Sequence, residues 1–336
     1  MSRVRLSVAL VALLVLFFAG RFVWRARMVS PSTDATSVSF TVEPGMRGAE
    51  VALHLQEEGV ISSAFGFRVY TRLTGKSAAI PTGVFDFKEG MSYKEALQVL
   101  ITAKAQEVQV TIPEGYTLKQ IGVAVREKIP TITEEAWNAA VGVDSPFASD
   151  PFVVASEKPE SVDLEGYLFP DTYRFFANAT AEDVVKKLLR AMEEHVATVS
   201  FVPNEQLPTT HALLTLSSIL EREVRHPSEM GNVSDIFLKR LKIGMPLQAD
   251  STVNYVTGGT DPSVSHADTQ LDSPYNTYKY PDLPPGPISS PGMNALQAAA
   301  HPSENIWYYF ATDEAGEVYY AKTYDEHLQN VARHVR

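Results

Sequence analysis

The sequence predicts an α+β protein: an N-terminal transmembrane helix, a small α+β module, and a larger C-terminal α+β domain. Three observations predict this. Phe40–Leu55, Phe85–Leu100 and Val110–Val125 each read as an alternating strand, a turn with a glycine (Gly45, Gly90 and Gly115) and the start of an amphipathic helix. His211–Arg225, HALLTLSSILEREVR, is apolar on nearly every side of a 3.6-residue helical period, as a helix buried inside a large domain is. Leu6–Trp24 is a third kind of segment, 19 almost uninterrupted apolar residues.

Leu6–Trp24 is long enough for one membrane span, with Arg21 near enough to its end to reach the interface. Arg3 and Arg5 precede it and Arg25 and Arg27 follow, so flanking charge leaves its orientation open. A cleaved signal peptide is the alternative. An anchor is favoured because Phe17-Phe18-Ala19-Gly20 lacks a small-x-small cleavage site and Trp24 suits the interface. We divide the chain into residues 1–28 (cytoplasmic tail and anchor), 29–37 (polar tether), 38–108 (the small module) and 109–336 (the C-terminal domain, with 109–160 as a connecting subregion). The strand–turn–helix units of 38–108 resemble LysM carbohydrate-binding modules, and a spacer without a ligand is the competing reading. Their glycines are unevenly spaced, which argues against a solenoid.

Further along, Glu57–Gly75 reads as a turn and a helix, Glu134–Val141 as a helix, and Ala181–Ala197 as a helix with Val184, Val185, Leu188, Leu189 and Met192 on one face. Asn178-Ala179-Thr180 matches a glycosylation pattern but reads as the cap of that last helix. Val233–Leu241 is predicted helical, and Ile243–Gly259, IGMPLQADSTVNYVTGG, as strand and turn. Asp272–Gly292 has six prolines and three tyrosines with no period, so it is a long loop. Aromatic rings among asparagine and threonine suit a surface that stacks on sugar rings and bonds their hydroxyls. Asn294–Ala300 reads as a short helix, Trp307–Ala311 with Val318–Ala321 as a hairpin, and Thr323–Val335 as a closing helix.

Composition excludes several classes of function. Setting aside the five N-terminal arginines, 24 of the 29 basic residues face 40 acidic ones, a balance of −16 that does not suit a nucleic-acid partner. There is no cysteine, hence no disulfide, thiol nucleophile or cysteine zinc site. The eight histidines form no H-E-x-x-H, and neither a G-x-S-x-G nor a phosphate-binding glycine loop occurs. We expect no metal and no cofactor.

The apolar helix is informative at its polar positions. At about 100° per residue, Leu214, Ser217, Ser218, Glu221 and Arg225 share one side, and Glu223 faces another. A carboxyl at the edge of an apolar surface is disfavoured as an anion, which lets a glutamate deliver a proton near neutral pH. The ordinary alternative is an i,i+4 ion pair between Glu221 and Arg225.

Taken together, LEGYLFPDTY, the SSILEREV helix, GMPLQADSTVNY, SPYNTY, LPPGPISSPG, AAAHP and the terminal Tyr324-Asp325-Glu326-His327 resemble, in this order, the endolytic murein transglycosylases of the MltG (YceG-like) family. The likeness runs from about Val38 to the C-terminus. It departs at Lys239-Arg240-Leu241, where the family has N-R-L, at Ala249-Asp250-Ser251-Thr252 in place of T-D-P-T, and at Leu328, where asparagine is usual.

The resemblance implies a single-pass enzyme of the cytoplasmic membrane whose catalytic domain faces the periplasm or cell wall. Its partners would be peptidoglycan glycan strands, with peptidoglycan synthases and other wall-elongation proteins as further candidates. The implied reaction cuts the MurNAc–GlcNAc β-1,4 bond within strands, leaves 1,6-anhydroMurNAc ends and limits strand elongation. The catalytic glutamate would be Glu221, and Glu165, Ser218, Gln248, Asp250, Tyr275, Asn276, Thr277 and Tyr278 would bind substrate. A muramidase cutting the same bond with water, or a non-catalytic wall-binding scaffold, are the alternatives.

Overall fold

The structure, a computed structural model, describes residues 20, 36–42, 46–75, 83–102, 107–259 and 264–335. The predicted anchor apart from Gly20, most of the tether and the Gly45 turn lie outside the described residues. Among the described residues no helix is long and apolar enough to cross a membrane. The chain is a mixture of helix and strand, as expected, and packs as two compact units, Met1–Val108 with Arg174–Asn178, and Gln109–Tyr173 with Ala179–Arg336.

In the first unit, strand β1 (Ser37–Val42) leads to helices α1 (Gly48–Glu57) and α2 (Ala64–Leu73), then strand β2 (Gly83–Lys88) and helix α3 (Tyr93–Thr102). β1 and β2 are antiparallel, with Phe40 opposite Phe85. The period of two along β2 puts Phe85 and Phe87 inward, where they meet Val51 and Leu55 of α1, Phe67 of α2 and Leu97 and Leu100 of α3. Ser63 caps α2 by accepting the Gly66 N–H, and Gly90 turns the chain after β2 at φ +76°.

Strand β3 (Glu107–Thr111) pairs with β4 (Thr172–Phe176) and not with β1 or β2, so the third strand–turn–helix unit of the sequence belongs to a different sheet from the first two. Between β3 and β4 run α4 (Leu118–Lys128), α5 (Glu134–Val141) and α6 (Pro151–Ala155). Thr117 starts α4 through a capping box with Gln120, and Trp137 of α5 donates its ring N–H to the Leu118 carbonyl. After β4 come α7 (Ala181–Thr198), whose capping box is Thr180 with Asp183, α8 (Thr210–Glu223), α9 (Pro227–Lys242) and α10 (Asp250–Thr257). The chain closes with α11 (Met293–Ala300), the hairpin of β5 (Tyr309–Thr312) and β6 (Val318–Ala321), and α12 (Tyr324–His334).

The core of the second unit forms around α8. Leu213, Leu216, Ile219 and Leu220 are fully buried and pack with Val233 and Phe237 of α9, Ile288, and Ala295 and Ala299 of α11. The alanines of α11 allow it to lie close to α8.

Three expectations change. Asp250–Thr257, expected as strand and turn from its valines, threonines and tyrosine, is helical. Glu223 accepts the Ser251 N–H at its start, and Gly258 ends it in the left-handed region at φ +73°. These tertiary and capping contacts override a weak strand preference. α9 begins at Pro227, six residues before the predicted Val233, because proline is pre-set for the first helical position. α8 ends at Glu223, with Val224 already extended ahead of His226-Pro227. Arg225 is therefore off the helix and donates to the Glu314 carbonyl, so the Glu221–Arg225 pair does not form.

Candidate active site

The proline-rich segment Asp272–Gly292 runs alongside α8 and is fastened to it along its length. At the N-terminal end of α8, the buried His211 bonds through Nε2 to the Pro285 carbonyl at 2.8 Å, and its Nδ1 is 2.9 Å from the Tyr167 hydroxyl. Nε2 must donate to that carbonyl; burial lowers the proton affinity of the ring, and in its neutral form Nδ1 accepts from tyrosine. Midway, the Ser218 hydroxyl accepts the Ile288 N–H at 3.0 Å, and Ser289 donates to the Ser218 carbonyl at 3.2 Å. At the C-terminal end, the Gly292 N–H donates to Glu221 Oε2 at 2.9 Å. A segment with so many prolines has few N–H groups of its own, and two of those it keeps are used here.

Gly166 supports this strap from the other side. It sits at φ +77°, and a Cβ there would meet Pro287 Cγ at 2.6 Å and the Ser289 carbonyl at 3.2 Å. Gly166→Ala therefore combines a left-handed alanine with a clash against backbone. It is expected to cost about 3 kcal/mol, read as a lowered midpoint in chemical denaturation. An unchanged midpoint would mean that the strap yields freely.

Glu221 is half-buried in the last turn of α8. Its proton affinity is raised, first by burial and then by the neighbouring Glu114 carboxylate, while the Gly292 N–H works in the opposite sense. The exposed carbonyls at a helix C-terminus also disfavour an anion there. Glu114 comes from the Pro113-Glu114-Gly115 turn ahead of α4. Gly115 is held by its N–H to the Ser290 carbonyl (2.9 Å), Ser290 returns a bond to the Tyr116 carbonyl (2.8 Å), and Arg222 donates to the Gly115 carbonyl (3.3 Å). Glu114 and Gly292 were not singled out by sequence reasoning. The acid-glycine turns at Gly90 and Gly115 look alike in sequence, and only the second lies against α8.

Glu223 faces another side of the same turn, as the helical period requires. It accepts the Ser251 N–H at 3.0 Å, and burial raises its proton affinity. Asp250 bonds to the Tyr278 hydroxyl beside it. Arg240, 5% exposed, donates to the Tyr308 and Leu247 carbonyls (both 2.7 Å) and lies over the Tyr309 ring. Asp250 and Tyr278 are thus brought to Glu223, whereas Glu221 is brought to Gly292 and Glu114.

The other predicted binding residues fall into two groups. Ser218, Asn276 and Thr277 are fully buried and committed to the scaffold. Asn276 donates to the Thr269 and Leu271 carbonyls and accepts the Tyr278 N–H, while Thr277 Oγ1 accepts the Ala249 N–H. Gln248 is exposed and holds φ +51°, an unusual conformation for a residue with a side chain, at the entrance to α10. Tyr275 is half-buried, its ring 5.1 Å from that of Tyr255. Glu165 is 4% exposed: both oxygens accept the Leu118 N–H at 3.1 Å, capping α4, and Tyr255 bonds to it. Burial is the main cause that pushes its carboxyl up to about 8. Among the described residues no cluster of histidine or carboxylate side chains could hold a metal ion.

A sequence model of the YceG-like family matches residues 40–333. The endolytic murein transglycosylase of Bacillus subtilis (strain 168) is 31% identical over 326 residues, covering 93% of this chain and 89% of that protein. The endolytic murein transglycosylase of Streptococcus pneumoniae serotype 2 (strain D39) is 29% identical, covering 95% of this chain and 62% of the pneumococcal protein. A crystal structure of a yceG-like protein from Listeria monocytogenes superimposes with a TM-score of 0.58 at 27% identity, over 88% of this chain and 99% of that one.

Proposed function

The chain belongs to the YceG-like family, and from that premise we propose that it is an endolytic peptidoglycan lytic transglycosylase with Glu221 as its one acid and base. The observation that carries this is the half-buried Glu221 carboxyl, biased toward its protonated form yet held in place by the Gly292 N–H. Glu221 gives its proton to the glycosidic oxygen as the C1–O bond breaks. The resulting carboxylate then takes the proton of the C6 hydroxyl, whose oxygen bonds to C1 and closes the 1,6-anhydro ring. No water is consumed, and Glu221 ends as it began.

A hydrolase would need a second carboxylate to activate water or to attack C1. Glu165 is a poor candidate, since burial biases it toward its neutral form and it is occupied by the start of α4. Glu223 is committed to the start of α10. Both points favour the transglycosylase over the muramidase.

For substrate binding, we assign direct contact to Gln248, Tyr275, Tyr278 and Asp250. Ser218, Asn276, Thr277 and Glu165 shape the cleft from beneath. The anchoring segment at residues 6–24, the LysM-like module at 38–108, the catalytic domain at 109–336, the wall-facing location and the synthase partners belong to the same reading, and rest on the sequence and on what the relatives' names imply.

The test is to incubate the full 336-residue chain, purified in detergent, with glycan strands and to read the products by mass spectrometry. Anhydro-ended internal fragments are expected. Products heavier by one water would establish a muramidase instead, and intact strands would favour the scaffold.

A further inference from the structure

Two carboxyl groups meet at one glycine. The N–H of Gly292 holds Glu221 Oε2, while a methyl group placed on its Cα would collide with the Glu114 carboxyl. Gly292 has φ −83° and ψ 178°, which any residue can adopt, and the space beside its Cα is taken by the Glu114 side chain, which a larger residue would displace. The Glu114 side chain is exposed, and what places it here is the backbone of its turn. Its turn is fastened at Gly115 to Ser290 and to Arg222, and a Cβ on Gly115 would touch Glu221 Cγ at 3.7 Å and Arg222 Cδ at 3.6 Å. Gly115 itself needs glycine, at φ +75°.

The other charged groups around the last turn of α8 are spoken for. Arg222 reaches to the Gly115 carbonyl, Glu223 and Asp250 lie toward α10, Glu229 of α9 accepts from the Tyr320 hydroxyl, Arg225 from Glu221's own chain bonds the Glu314 carbonyl, and α11 contains no charged residue. Glu114 is thus the carboxylate that faces Glu221.

We propose that Glu114 is a positioning residue of this site, a second carboxylate whose charge acts through Glu221 and keeps it in the protonated form that bond cleavage requires. This rests on the proposed role of Glu221 as the acid. Like charges at close range cannot both ionise freely, so the anion of Glu114 favours a proton on its neighbour. When the C6 hydroxyl must later be deprotonated, the same repulsion makes Glu221 a stronger base. One fixed charge therefore assists both halves of the reaction.

The experiment uses the full chain with carboxyl-labelled glutamate. The Glu221 resonance is identified by its loss in Glu221→Gln and titrated by carbon NMR in the wild type, Glu114→Gln and Glu114→Asp, alongside the pH profile of kcat/KM. In Glu114→Gln the Glu221 midpoint is expected to fall, and the alkaline limb of the profile to move down with it. Glu114→Asp should retain part of the shift, and Gly292→Ala, which pushes Glu114 away, should reproduce the glutamine result with the fold intact by circular dichroism. A Glu221 midpoint unmoved in Glu114→Gln overturns the proposal, and if activity falls nonetheless, Glu114 is only a clamp. Products heavier by one water that disappear in Glu114→Gln also overturn it, making Glu114 a base for water. Undiminished cleavage by Glu221→Gln is a separate result: it removes Glu221 as the acid, and the proposal with it, whatever the titration reads.

Discussion

Glutamine in place of Glu221 is expected to lower the rate of strand cleavage about 10³-fold, the range lost when a positioned acid-base group is removed, or roughly 4 kcal/mol of barrier. The fold should tolerate the change. An amide oxygen can still accept the Gly292 N–H, and the apolar residues that bury α8 are untouched. The contrast is Glu223→Gln, two residues on, whose carboxyl caps α10. That variant should keep both its fold and its rate within a few-fold of wild type, since an amide oxygen can still accept the Ser251 N–H. Initial rates of anhydro-end formation, with melting curves on the same samples, separate the two. Rates within a few-fold of wild type in Glu221→Gln, or a larger loss in Glu223→Gln, would move the acid to Glu223.

The second large effect is on stability. Glu165 has its carboxyl raised from an ordinary value of 4.5 to about 8. In the unfolded chain it ionises near its ordinary value, whereas in the folded protein it must stay protonated until pH 8. Its contribution is therefore fully present below pH 4.5 and is lost as pH rises through 8. A shift of this size corresponds to about 5 kcal/mol. His211 acts in the opposite sense: its proton affinity is lowered by burial, so its contribution is present above its ordinary value of 6.5 and lost as pH falls. Comparing wild type with Glu165→Gln at each pH cancels the histidine. At pH 9 the glutamine variant is expected to be the more stable by several kcal/mol, and at pH 5 the two should nearly coincide, since the amide oxygen can still cap α4 at Leu118. Denaturation midpoints that differ by the same amount at both pH values would show that Glu165 ionises in the fold as it does in water.

Much of the architecture was legible in the chain because it depends on local period and punctuation. The helix of Glu134–Val141 is where its pattern put it, α7 starts at the Thr180 cap, and the terminal hairpin and α12 follow their alternation and their capping threonine. The helical period alone separated Glu221 from Glu223. What failed did so where partners distant in sequence decide: α10 was missed because its start is capped by Glu223 from another helix, and the three strand–turn–helix units looked equivalent until pairing placed β3 with β4.

By itself, then, the sequence determined the α+β class, the buried helix and which of its glutamates stands apart, since each follows from apolar spacing within a few turns. Only the tertiary structure decided what that glutamate meets. His211, Ser218 and Glu221 fasten one proline-rich strap, and that strap sets Gly292 between Glu221 and Glu114, while the Arg222–Gly115 bond, which joins residues 107 positions apart, closes the arrangement. The proton affinity of a carboxyl is fixed by burial and by the charges within a few ångströms, and neither quantity is encoded in any one segment of the chain.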